Sequence, residues 1–82
     1  MESSTSEKDK IFAWLKENVQ KKVSNAKDED LEKIAVALSG EGYELQDVET
    51  HMDFWNDSDV KEIIASAGIP RAALSRIRQA LN

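Results

Sequence analysis

At 82 residues the chain can hold one small hydrophobic core and no more. It contains no cysteine, which excludes disulfides, thiolate metal sites and a cysteine nucleophile. Its net charge of −5, from 16 Asp and Glu against 11 Lys and Arg, has the wrong sign for general affinity to phosphate backbones.

No apolar run approaches the ~20 residues of a membrane span, and the opening residues lack the basic-then-apolar pattern of a secretory signal. The expected setting is a reducing, aqueous compartment, cytoplasmic or nuclear, with no membrane contact. Three glycines, one proline and abundant Ala, Leu, Lys and Glu favour helices over strands. Residues 1–6 are small and polar and read as a disordered leader, leaving 7–82 as a single domain.

Ser6 is placed to cap the first helix, with Glu7 and Asp9 at the positive end of its dipole. Ile11, Phe12, Leu15, Val19 and Val23 recur at steps of three and four, which predicts one buried stripe, with Trp14 at its edge or on the surface. Ser24 to Lys27 reads as a break. Asp28 is the expected cap of a second helix whose apolar positions are Leu31, Ile34, Ala35 and Leu38, widened by Val36 and Ala37. Gly40 and Gly42 end that helix and release Tyr43 toward the core margin.

A short third helix is expected over Gln46 to Met52, with Leu45, Val48 and Met52 on one side. Residues 55–59 read as a loop, and Asp57 as the cap of a fourth helix that buries Val60, Ile63, Ile64 and Ala67. Gly68 then suits a left-handed stop and Pro70 a first helical turn, so two helices meet back to back around Ile69. The fifth helix, Pro70 to Leu81, buries Leu74, Ile77 and Leu81. These elements predict an all-α fold, a compact five-helix bundle.

Catalytic and metal chemistry find no footing in these residues. His51 is the single histidine and reads as an exposed polar residue. Asp53, Asp57 and Asp59 superficially suggest a calcium loop but lack its turn glycine and its terminal bidentate glutamate. Ser39, Ser58, Ser66 and Ser75 have no placed base. The chain is expected to be a non-enzyme without a cofactor.

Trp14-Leu15, Gly42-Tyr43, Asp59-Val60-Lys61-Glu62, Gly68-Ile69 and the closing Ile77 to Leu81 together resemble a sterile alpha motif (SAM) domain over roughly residues 10–81. The family's common Gly-His-Arg opening of the last helix is replaced here by Ala72-Ala73-Leu74. The resemblance implies a protein-interaction module whose partner is another such domain, itself or a different protein. In that family an acidic middle surface often pairs with the start of the last helix of a neighbour.

The charges are distributed as such pairing requires. Residues 68–82 hold Arg71, Arg76 and Arg78 and no acid, whereas the remainder holds 8 basic and 16 acidic residues. The expected basic surface is therefore Arg71, Arg76 and Arg78, and the expected acidic surface is Asp47, Glu49, Asp53, Asp57 and Asp59. Both sets also fit the simpler reading of a solvated face, since bases suit the end of any helix. Arg71 does not, because it opens its helix, where a cation is disfavoured.

Phe54 is expected in the core. Adjacent Trp55 either folds back as a lid or stands partly exposed as an aromatic anchor for a partner. Two other readings compete with the SAM-like one. The basic last helix and the Gly68-Ile69-Pro70 turn are similar to a nucleic-acid-binding helical domain, which the few arginines disfavour. A different helical adaptor of the death-fold class would spread its contacts over other faces.

Overall fold

The computed structural model describes residues 6–50 and 53–81. Expectations for the first five residues of the leader, for His51 and for Met52 on the third helix fall outside them. Five α-helices follow in chain order: α1 (Glu7–Gln20), α2 (Asp28–Gly40), α3 (Leu45–Thr50), α4 (Ser58–Ala65) and α5 (Arg71–Leu81), with a 3₁₀ turn at Phe54–Asn56 between α3 and α4. The described residues contain no strand, and none of their helices is long and apolar enough to cross a membrane. The all-α five-helix bundle expected from the periodicity is the observed fold.

The core follows most of the stripes that the spacing marks out, except that Ile63, Leu74 and Leu81, expected buried, are half-buried against it and Ala80 is buried with Ile77 on α5. Ile11, Leu15 and Val19 from α1 meet Leu31, Ile34, Ala35 and Leu38 from α2, and Val48, Val60, Ile64 and Ile77 close over them. These are interleaved at helical steps on each element, so one face of every helix is removed from water and contributes roughly 25 cal/mol per Å² of apolar area. α1 ends at Gln20, three residues before the stripe does, and Val23 packs on the core from the following turn, where its N–H donates to the Val19 carbonyl at 2.7 Å. Val36 does not widen the buried face as expected; it is 49 % exposed, because α2 packs on α1 and α4 along a stripe too narrow to reach it.

The helix ends are held by side chains from near and far. Ser6 caps α1 through the Asp9 N–H, as predicted. The Asp28 prediction is corrected: the N-cap of α2 is Lys27, which contributes no side-chain bond, and Asp28 is the first helical residue. Its carboxylate is instead drawn to α1, accepting from the Gln20 amide and lying 3.5 Å from Lys16 Nζ. Glu7 spans 38 residues of sequence to accept the Leu45 N–H at 2.7 Å, fastening the start of α3 to the start of α1.

Phe54 and Trp55 are both buried, at 3 % and 4 % exposure. The Phe54 ring meets Tyr43 edge-on at 5.3 Å and the Trp55 ring edge-on at 4.9 Å, while the Trp55 ring stacks on Trp14 at 6.3 Å and 6° between planes. Trp14 is thereby placed at the core edge, half-buried.

Gly42 and Gly68 have φ of +94° and +83°, the left-handed conformation in which a β-carbon is strained. Gly68 closes the turn after α4, and the Pro70 carbonyl accepts the Leu74 N–H at 2.9 Å, so α5, expected from Pro70, begins at Arg71, three residues after the stop. A β-carbon at Gly40 or at Gly68 would meet nothing within 4 Å. Gly68→Ala is accordingly expected to cost about 1 kcal/mol through backbone strain alone. Gly40→Ala, in helical conformation, should be neutral or stabilising by up to about 1 kcal/mol. Urea unfolding of the two variants tests the contrast.

Candidate interaction surfaces

α5 carries its three arginines on two different sides. Arg71, Leu74, Ser75, Arg78 and Gln79 line one shallow groove of about 290 Å³, a stripe at helical steps of three and four. Arg76 lies across the helix, in a separate cleft of about 390 Å³ between the start of α2 and the first turns of α5. The structure thus divides the expected basic surface: Arg71 and Arg78 share a face with half-buried Leu74, and Arg76 does not belong to it. Arg78 is half-buried and already has a partner within the fold. Arg71 is exposed and joins no ion pair among the described residues, although it stands at the helix end where a cation is least favoured.

The acidic residues also separate by role. Asp57 is the N-cap of α4, its carboxylate accepting the Asp59 N–H at 2.8 Å, and Asp47 accepts the Glu44 N–H at 3.1 Å at the start of α3. Both satisfy backbone donors that helix geometry leaves unpaired. Asp59 points elsewhere. With Glu62, Ile63 and Ser66 it forms an i, i+3, i+4, i+7 stripe on α4, and this stripe borders a groove of about 490 Å³ against Ala37, Glu41 and Tyr43. Glu41 and Tyr43 line a second groove of about 300 Å³ that holds Asp47 and Asp57. Tyr43 therefore sits half-buried within one continuous acidic face made by Glu41, Asp47, Asp57, Asp59 and Glu62. Glu49 and Asp53 are exposed but line neither groove.

Glu41 and Glu62 were not among the expected acidic residues. Glu62 was legible, because it stands three residues after Asp59 on a helix whose phase the apolar positions fix. Glu41 was not, since its direction depends on the turn between Gly40 and Gly42. Of the two readings of Trp55 the lid holds and the exposed anchor is overturned: it folds into the core against Trp14, and its indole N–H is buried without an acceptor among the described residues. The large apolar side chain left to solvent among the described residues is Val36, on the outer side of α2.

The described residues contain no group of three His, Cys, Asp or Glu side chains placed to hold a metal ion. What the surfaces offer chemically is complementary charge beside modest apolar patches: Arg71 beside Leu74 on one, and Asp59 and Glu62 beside Tyr43 and Ile63 on the other. Comparison of the chain with protein-family models, with curated proteins and with solved structures gives no match.

The two roles of the aspartates are separable by mutation. Asp57→Ala removes a cap and is expected to lower stability by about 1 kcal/mol, whereas Asp59→Ala should leave stability within about 0.5 kcal/mol of the parent. Denaturant midpoints compared at a common slope measure both.

Proposed function

We propose that this chain is a non-catalytic protein-interaction module of the SAM type, which associates by setting the Arg71 face of α5 against the acidic face around Tyr43 on a second copy or a like domain. The observation that carries the reading is Arg71, exposed at the opening of α5 with no ion pair among the described residues. A lone arginine at a helix N-terminus opposes the dipole of its own helix and gains from a carboxylate supplied from outside.

Supporting it, the two faces lie on different elements and each pairs one sign of charge with apolar area. Charges in that arrangement steer encounter and fix orientation, while the apolar side chains contribute affinity. Contact between unlike faces leaves one of each unused at the ends of the assembly, so it propagates instead of closing as a two-fold dimer. Arg76, turned away from the Arg71 face, leaves too little clustered positive charge for a phosphate-backbone surface, which weighs against the nucleic-acid reading.

The test is mass in solution against concentration, by sedimentation at low and high salt. Parent protein should grow in mass with concentration and lose this at high salt. Arg71→Glu and Glu62→Lys should each remain folded and each weaken association at least tenfold. Mixed, the two variants regain one parental pair of faces and should associate more strongly than either does alone. Self-association by Arg71→Glu equal to the parent's, or a mass indifferent to salt, would sink the pairing.

A further inference from the structure

Residues 21–27 join the end of α1 to the start of α2 and carry Lys21, Lys22 and Lys27 with no acid. No other connection between helices contains a lysine or arginine. Lys21 and Lys22 are exposed, and neither joins an ion pair among the described residues. Ser24 follows them by three and two positions and is exposed in a turn. Neither its hydroxyl nor its backbone N–H makes a hydrogen bond among the described residues. That sets it apart from the other described serines. Ser6 uses its hydroxyl to cap α1, Ser39 donates to the Val36 carbonyl, and Ser58, Ser66 and Ser75 lie within or at the ends of helices.

A protein kinase reads a few residues around the acceptor in extended form and selects charge at fixed offsets through subsites of opposite sign. Basic residues two and three positions before a serine suit a cleft with carboxylates at those subsites. The segment such a cleft draws out, residues 21–25, lies wholly between the two helices. Within it Val23 alone packs on the core, and few backbone bonds hold it, among them the Val23 N–H to the Val19 carbonyl at 2.7 Å and the Ala26 N–H to the Val23 carbonyl at 3.1 Å. Connections so lightly held open locally at a fraction of the free energy of global unfolding, so the segment is presented while α1 and α2 stay packed.

We propose that Ser24 is a phosphorylation site, the acceptor for a serine/threonine kinase that selects basic residues at the second and third positions before it. In the transfer, Ser24 Oγ bonds to the γ-phosphorus of ATP as the bond from that phosphorus to the bridging oxygen of ADP breaks. The hydroxyl proton passes to a carboxylate of the kinase, and ADP leaves. The product carries an added charge of about −1.5 to −2 in the same connection as three lysines. Lys21, Lys22 and Lys27 supply charge-assisted donors to it, so the fold accommodates the group. Residues 21–27 line none of the grooves of the Arg71 and Tyr43 faces, so the modification marks a third region of the surface and leaves those faces as they are.

Incubating the entire chain with ATP and the catalytic subunit of cyclic-AMP-dependent protein kinase, an enzyme of that selectivity, tests the assignment by intact mass and fragment mapping. One phosphate should enter, at Ser24, and Ser24→Ala should take up none. Lys21→Ala combined with Lys22→Ala should slow incorporation at least tenfold although Ser24 is retained. Circular dichroism should show both variants and the phosphorylated chain to be as helical as the parent, which separates lost recognition from unfolding. Arg71→Glu should be phosphorylated at the parental rate, since its face lies elsewhere. No incorporation, phosphate entering chiefly at another serine, or an unchanged rate in the double lysine variant would each overturn the proposal.

Discussion

The segment between α3 and α4 is held by two consecutive aromatic residues, Phe54 and Trp55, that both leave water. In the 3₁₀ turn Phe54 packs on Tyr43, just after α2, and Trp55 on Trp14 of α1, while the two rings meet each other edge-on at 4.9 Å. Because the turn grips two helices at once, it fixes where Asp57 stands and hence where α4 begins. The direction of α4 in turn places Asp59 and Glu62 beside Tyr43. The acidic face is thus a consequence of aromatic packing, and the charged residues on it did not have to organise themselves. The indole N–H of Trp55 is buried there with no acceptor among the described residues.

The helices and most of the core were legible in the sequence because both depend on a period that the chain repeats. Ile11, Leu15 and Val19, then Leu31, Ile34 and Leu38, announce their buried faces by spacing alone. Gly68 and Pro70 announce their roles through backbone chemistry that few other residues share, and Gly68 has the positive φ expected of it. Caps were half legible. Ser6 and Asp57 behave as local chemistry suggests, whereas Asp28 is captured by Gln20 and Lys16 from a helix eight and more residues earlier. A choice between a local backbone donor and a distant side chain depends on the tertiary approach of α1 to α2, which no window of sequence contains.

The candidate surfaces were less legible than the fold, and for a related reason. Charge signs are plain in the sequence, but a surface is defined by which charges share a face and which are already committed. The three arginines of α5 differ in both respects: Arg71 is exposed without an ion pair among the described residues, Arg78 has a partner, and Arg76 lines the cleft with the start of α2. Helical phase alone separates Arg71 from Arg76. Likewise Asp47 and Asp57 are acids by composition and backbone caps by use, while Glu41 joins the face only through the turn at Gly42. Trp55 was ambiguous between lid and anchor because its burial depends on the 3₁₀ geometry, which has no strong signature in three residues.

The stack of Trp14 on Trp55 brings together the two tryptophans of the chain, one from α1 and one from the turn before α4, with nearly parallel rings. Chromophores that close and so aligned couple in their excited states. Near-ultraviolet circular dichroism and indole emission from this protein therefore report one local event, the seating of the 3₁₀ turn on the first helix. Far-ultraviolet dichroism reports the helices as a whole. The molecule carries its own optical gauge for whether the segment that positions its acidic face is closed.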